Sequence, residues 1–298
     1  MSEPAAPRPQ LVRLDFRLGS SLSWVGPALA VVAGALASHR LGLDAASLLT
    51  LILALLLADP LLGGLWNVLV SADWVAPWRE NPSLATLPPP LPHAVAGSPA
   101  HRLSGWLARL QGHGLEQSPR GILVPLSEAG FYLVSASALA AVLGAPVILV
   151  VVVAFSLAVI GVLLGGGGQR HRWLETAYAF AVPWLVGYGA FGALPVDAQP
   201  ASLVALALGV AMTLAYHGYR MLAAGGSVPG ALLALDLGQV LAVLVLVVAL
   251  RPWQAGLVGL LLVAQALWQP RLWRERDAVA YARETQGFLA LAVLACFL

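Results

Sequence analysis

Apolar stretches of about 20 residues, nearly free of charge, recur along this chain and are separated by short polar breaks. An α-helix rises about 1.5 Å per residue, so about 20 apolar residues cross the ~30 Å hydrocarbon core of a bilayer. The pattern predicts an all-α fold, a polytopic membrane helical bundle of about nine transmembrane helices. They are expected over 20–38, 47–70, 128–143, 146–166, 175–194, 201–222, 228–250, 253–270 and 285–298, the third and ninth being the shortest. Residues 1–19 read as a Pro-rich tail carrying Arg8, Arg13 and Arg17, and residues 20–298 as a single transmembrane domain. The tail is not a cleavable signal peptide, because the apolar run after it is too long and lacks a small-residue cleavage site. Most connections are tight, so sequential helices should pack as antiparallel neighbours.

The exception is the segment 71–127. Pro77, Pro82, Pro88, Pro89, Pro90, Pro92 and Pro99 make 77–100 extended rather than helical. After it, 101–113 places Leu103, Trp106, Leu107 and Leu110 on one helical face, flanked by Arg102 and Arg109. This reads as a short amphipathic helix at the membrane interface, either a lid over a cavity or a plain anchor.

Composition narrows the class. Of 298 residues, 59% are apolar and 10% charged, against about 45–50% and about 25% in soluble domains. A soluble enzyme, a disordered chain and a disulfide scaffold are excluded. The single cysteine, Cys296, allows neither an internal disulfide nor a Cys-based metal site. All 16 basic residues are arginine. With a cytoplasmic N-terminus, fourteen of them fall on the cytoplasmic side and only Arg40 and Arg251 on the other. That bias puts the N-terminus inside, the C-terminus outside, and the chain in a membrane of the bacterial inner (cytoplasmic) type. The bilayer is the expected partner, and nothing points to nucleic acid.

Ionisable groups within spans are costly, so each needs an account. Asp59 lies mid-span and is followed by Pro60, which frees a backbone carbonyl and kinks the helix. Asp59 and Asn67, eight residues apart, share a helical face, and Asp73 ends that span. The stripe is either a polar path into the bundle or a set of buried interhelical hydrogen bonds. Asp236 and Gln239, three apart, share a face of the seventh span. Tyr216, His217, Tyr219 and Arg220 cluster at the end of the sixth, where Arg220 can snorkel to the interface. Glu128 and Glu175 fit first-turn partners of a helix dipole. Gln265 suits an interhelical hydrogen bond. The histidines show no i, i+3 or i, i+4 pair, and no nucleophile constellation or phosphate loop stands out.

Nine spans with a long loop after the second and a polar junction after the sixth resemble the UbiA-type superfamily of intramembrane prenyltransferases, which includes chlorophyll synthases and quinone-pathway enzymes. Two local stretches carry the resemblance. Asn67-Val68-Leu69-Val70-Ser71-Ala72-Asp73 is similar to the start of the family's first acidic motif. Gly225-Gly226-Ser227-Val228-Pro229, followed by Leu237-Gly238, is similar to the element after its second. In the family, carboxylates hold Mg2+ ions that neutralise the diphosphate of a prenyl donor. Here Val68 and Val70 stand where acids are expected, and the stretch from Tyr216 to Ala224 has none. Arg79 or Arg102 would have to replace the lysine that family members use on phosphate. Several hard oxygen ligands are needed to hold two divalent ions, and one Asp is too few.

The expectation is a UbiA-like membrane protein that has lost metal-dependent catalysis. It would act as an isoprenoid-, lipid- or pigment-binding accessory subunit of a larger membrane complex, photosynthetic or respiratory. An isoprenoid, carotenoid, quinone or chlorophyll-type pigment is the expected ligand. Its candidate contacts are Asp59, Asn67, Asp73, Arg79, Tyr216, His217, Tyr219, Arg220 and Asp236. The alternative is an active prenyltransferase with Mg2+ held by Asp59, Asp73 and Asp236. The third is a transporter, which would show paired broken helices; Asp59-Pro60 is one break, and no second is evident half a chain away.

Overall fold

The computed structural model describes residues 26–72, 123–164, 169–192, 200–275 and 277–298. The tail 1–19, Asp73, Arg79 and the expected interfacial helix 101–113 lie outside the described residues. Among the described residues the secondary structure is helical throughout, in rods that run α1 Pro27–Ala37, α2 Ala45–Ser71, α3 Leu123–Leu143, α4 Ala145–Leu163, α5 169–190, α6 Pro200–Ala223, α7 Val228–Val248, α8 Pro252–Glu275 and α9 Ala278–Phe297. Six of them (α2, α3, α4, α6, α7 and α8) are long and apolar enough to cross a membrane. The chain is accordingly an integral membrane protein by the length and composition of its helices. The described part of α1 has 11 residues, which rise only about 16 Å.

The boundaries follow local chemistry. Proline occupies the first turn of α1, α4 and α7, where its missing N–H costs nothing. Asp44 caps α2, accepting from the Ser47 amide at 3.2 Å and the Ser47 hydroxyl at 2.6 Å. Those two donors hold its carboxyl below the usual carboxylate range. Gly225, at φ 65°, ends α6 in a tight turn, with the Gly226 amide on the Met221 carbonyl at 2.8 Å. The third rod begins at Leu123 and the ninth at Ala278, so both are longer than the apolar runs at 128–143 and 285–298. In the third rod the added turn is Leu123-Val124-Pro125-Leu126, with proline in the first turn; in the ninth the helix runs on through Arg283 and Glu284.

The Asp59-Pro60 break takes the form of a π-turn, Leu57–Leu62, inside an otherwise continuous rod. That wide turn changes the angle between the residues on either side of it. Asp59 is half-buried while Asn67 is exposed, so the eight-residue spacing does not leave them equally sheltered. A second π-turn, Ala177–Ala181, precedes Pro183 in α5. The sequence pattern did not mark this turn, because Pro183 sits inside an uninterrupted apolar run.

Two cores meet on a shared spine. α2, α3 and α4 pack around Leu57, Leu62, Leu65, Ala136, Val147 and Ala154. α6, α7, α8 and α9 pack around Leu208, Met212, Leu235, Leu246, Val258 and Leu289. α1 and α5 face both: Val31, Tyr178, Val182 and Val186 belong to the first core, and Ala30, Phe180, Trp184 and Tyr188 to the second. The spine is drawn close by two glycines. Any side-chain carbon at Gly34 would run into the Trp184 carbonyl, and one at Gly187 into the Val31 carbonyl. Val134, Val248 and Leu267 stand largely exposed on the outside of membrane-length helices, the surface that a bilayer covers.

Candidate functional site

The connections collect at two ends. At one, Arg40 donates to the carbonyls of Phe191 and Gly192 at 3.5 and 3.3 Å, and Arg251 meets His39 at 3.1 Å. At the other lie the end of α6, the starts of α5, α7 and α9, and Arg172, Arg220, Arg271 and Arg274. Three polar groupings sit towards this second end.

The first joins α5 to α6. Arg220 pairs with Glu175, Nη2 to Oε1, at 2.5 Å. One turn away, Thr176 Oγ1 meets His217 Nδ1 at 2.9 Å, and Trp173 stacks on the same imidazole with ring centroids 3.5 Å apart. Tyr216 lies against Phe180 at 5.1 Å and Tyr219 at 6.2 Å. Glu175 is not a first-turn residue, since α5 already begins at 169, and Arg220 is tied across the helix pair rather than only reaching for the interface. His217 and Thr176 are 3% and 1% exposed, whereas Trp173 beside them is 51% exposed.

The second grouping joins α2 to α5. The Tyr178 hydroxyl donates to the Leu62 carbonyl at 2.9 Å, and its ring meets Trp66 at 4.5 Å. One π-turn is thus latched to the other. Asp59 and Asn67 both have partners, and the Asn67 carbonyl accepts from Ser71.

The third joins α7, α8 and α9. Gln269 Nε2 reaches both oxygens of Asp236, at 3.0 and 2.9 Å. Gln239 Nε2 donates to Gln265 Oε1 at 2.8 Å, as an interhelical role for Gln265 requires. From α9, the Tyr281 hydroxyl donates to the Gln265 carbonyl at 3.3 Å. Two rungs, three and four residues apart on facing antiparallel helices, make a short polar ladder.

Of the residues singled out from sequence, Tyr216, His217, Tyr219 and Arg220 do come together at one helix end. Asp59 lies by the first core and Asp236 in the second half, on separate helices that share neither grouping. Tyr178, which stands with Glu175 at the start of the fifth expected span, is among the residues marked by sequence; Thr176, Gln269 and Tyr281 are not. For Gln269 a signal existed, the i, i+4 repeat of Gln265 and Gln269 matching Asp236 and Gln239. Among the described residues no three His, Cys, Asp or Glu side chains converge as metal ligands.

An apolar groove lies at the opposite end, between the start of α8 and the end of α9. Its volume is about 750 Å³, and it is lined by Pro252, Trp253, Gln254, Gly256, Leu257, Leu260, Ala295 and Leu298. Comparison with protein-family models, with curated proteins and with solved structures finds no match to this chain.

Proposed function

We propose that this chain is a non-catalytic, lipid-binding subunit of a bacterial inner-membrane complex, with a scaffold of the intramembrane-prenyltransferase kind and its N-terminus in the cytoplasm. Its ligand is a linear isoprenoid or other long apolar chain. The observation that carries this reading is the groove beside α8 and α9, whose volume of about 750 Å³ falls in the usual range for small-molecule sites of ~300–1,000 Å³. The lining offers the Gln254 amide and the Trp253 indole but no cation, and is otherwise apolar side chains, which suits a hydrocarbon tail and not a diphosphate. The polar side chains nearer the other end support the same reading, since Glu175, Thr176, Gln239 and Gln265 are engaged with Arg220, His217 and each other. The site proposed here lies away from Asn67 and Tyr216.

The test is extraction of the chain in polymer-bounded native nanodiscs, followed by mass spectrometry of retained lipids. One isoprenoid or long-chain species, enriched over the bulk membrane and lost in Leu257→Trp, is the expected result. A lipid profile equal to the bulk overturns the reading. Prenyl transfer in the presence of magnesium, abolished by Asp73→Ala, would establish the enzymatic alternative instead.

A second reading, a transporter, is favoured by one specific feature. Two proline-associated π-turns, one in α2 and one in α5, are latched together by Tyr178 and the Leu62 carbonyl, and paired broken helices are a device of alternating access.

A further inference from the structure

The ladder between α7, α8 and α9 holds a charge without a countercharge. Asp236 is half-buried in a membrane-spanning helix and is met by the Gln269 amide, which donates but carries no charge. Among the described residues no arginine stands within ion-pair distance of it, and Arg271, two residues beyond Gln269, is turned to Glu284 at 3.3 Å. An isolated carboxylate in such surroundings is costly unless it is neutralised.

One turn along the same face sits an oxygen with the complementary deficit. Gln239 is 1% exposed, its Nε2 is spent on Gln265, and its Oε1 has no partner. A buried amide oxygen left unmade forfeits the full cost of its desolvation. Reversing the amide does not remove the problem, because the nitrogen would then be the atom left over. Residues three apart on a helix bring their side-chain roots to about 5–6 Å, close enough for both side chains to offer oxygens to one ion at roughly 2.3–2.6 Å each. The Tyr281 hydroxyl and the Gln265 carbonyl lie at the same junction as further hard oxygens.

We propose that Asp236 and Gln239, with Tyr281 and the Gln265 carbonyl, form a binding site for one monovalent cation of the sodium class. The ligand set fixes the class. Oxygen donors alone select a hard ion, and one carboxylate balances one positive charge, whereas a divalent ion would leave a net charge inside the apolar bundle. A proton alone neutralises Asp236 but leaves the buried Gln239 oxygen unsatisfied. The site is separate from the lipid groove, and either can fail without the other.

The experiment uses the full chain in nanodiscs. Thermal unfolding is followed against sodium chloride, with choline chloride matching the ionic strength, and bound 22Na+ is counted by equilibrium dialysis. The expected result is a midpoint that rises by several degrees at about 100-fold excess over half-saturation, with one ion bound per chain. Asp236→Asn keeps the contact with Gln269 and removes the charge, and it should abolish both readouts. Gln239→Leu should weaken sodium by about tenfold or more. Gln239→Glu, which adds a second carboxylate, should move the preference to calcium. A midpoint that rises equally with choline overturns the proposal, as does one that responds to pH and not to sodium. So does a sodium response that survives in Asp236→Asn or Gln239→Leu.

Discussion

The two halves of the bundle are built by different means. α2, α3 and α4 meet through aliphatic side chains, with one aromatic edge at Gly64 against Tyr132 and another at Gly161 against Trp66. Their long helix is interrupted by a π-turn. α6 to α9 are continuous helices, and the α6–α7 contact is as close as backbones allow: a carbon at Gly218 would meet Ala231 and Leu235, and one at Gly238 would meet Ala211 and Ala215. The polar ladder then ties α7 to α8 and α9. In a bilayer, apolar contact alone gives little drive for helices to associate, because lipid tails are as apolar as leucine. Close packing and hydrogen bonds must supply it. By that measure the α6–α9 half is the clamped one, and the α2–α4 half is the one free to rearrange.

The sharpest way to break this comparison is at the spine that both halves share. Gly187→Leu would drive a side chain into the Val31 carbonyl, against backbone that cannot give. Overpacking of this kind costs about 3 kcal/mol. It should remove the monodisperse folded species from both halves, read as loss of the chromatographic peak and of tryptic protection throughout. Gly238→Leu should instead loosen only α6–α9, leaving protection of α2–α4 in place. Equal loss in both halves would show that the division into two cores has no energetic meaning.

The ladder comes next in size. Gln265→Leu removes the partner of Gln239 and leaves a buried amide exposed to an apolar neighbour. Interhelical hydrogen bonds in membranes average about 0.6 kcal/mol and reach about 1.7 kcal/mol, and the orphaned Gln239 places this one toward the upper value. The measurement is the denaturant midpoint, with hydrogen exchange of α7 and α8 rising while that of α3 and α4 does not. A double substitution, Gln239→Leu with Gln265→Leu, should recover most of the loss, since no amide is then left unpaired.

Sequence reading reached the all-helical membrane class, with six of the nine expected spans long and apolar enough to cross among the described residues, and several of their polar exceptions. It reached these because a span of about 20 apolar residues has few alternatives in water or lipid. Asp59-Pro60 announced a break because Pro60 lacks a donor, and α2 does depart from regular helix there. The break in α5 left no such mark: Pro183 follows the π-turn and lies among Ala, Val, Trp and Leu. Partners across helices were also hidden. The first-turn role expected for Glu175 fails because α5 starts earlier than its apolar face, and only the fold brings Arg220 beside it. The groove at Trp253 and Leu257 is invisible in sequence, since its apolar residues look like any lipid-facing surface. Pair identity and concavity are tertiary properties, and hydropathy carries neither.

Removing the latch between the π-turns tests the looser half directly. Tyr178→Phe takes one hydrogen bond from the Leu62 carbonyl and changes nothing in the ring contact with Trp66. About 1 kcal/mol of stability should go with it. Hydrogen exchange across Leu57–Leu62 should rise, with no change in α7. A uniform rise over the whole chain would mean that the two halves unfold as one unit.

The smallest effect belongs to the cap of α2. Asp44 is fully exposed, and its carboxyl is held below 3.8 chiefly by the Ser47 hydroxyl and then the Ser47 amide. A depressed carboxylate stabilises the folded state when ionised, so its contribution is complete above the unfolded value and disappears as pH falls through the lower, folded one. At neutral pH, Asp44→Ala should therefore fray the first turn of α2 and raise exchange at Ser47 and Leu48. Once pH has fallen below the depressed folded-state value, the variant and the parent chain should converge. α9 supplies the internal control, because Asp277 caps it through the Ala280 amide at 2.9 Å and Asp277→Ala should fray that helix alone. If removing Asp44 instead disturbs α6–α9, the start of α2 is coupled to the clamped half, and the freedom assigned to α2–α4 is lost at its first turn.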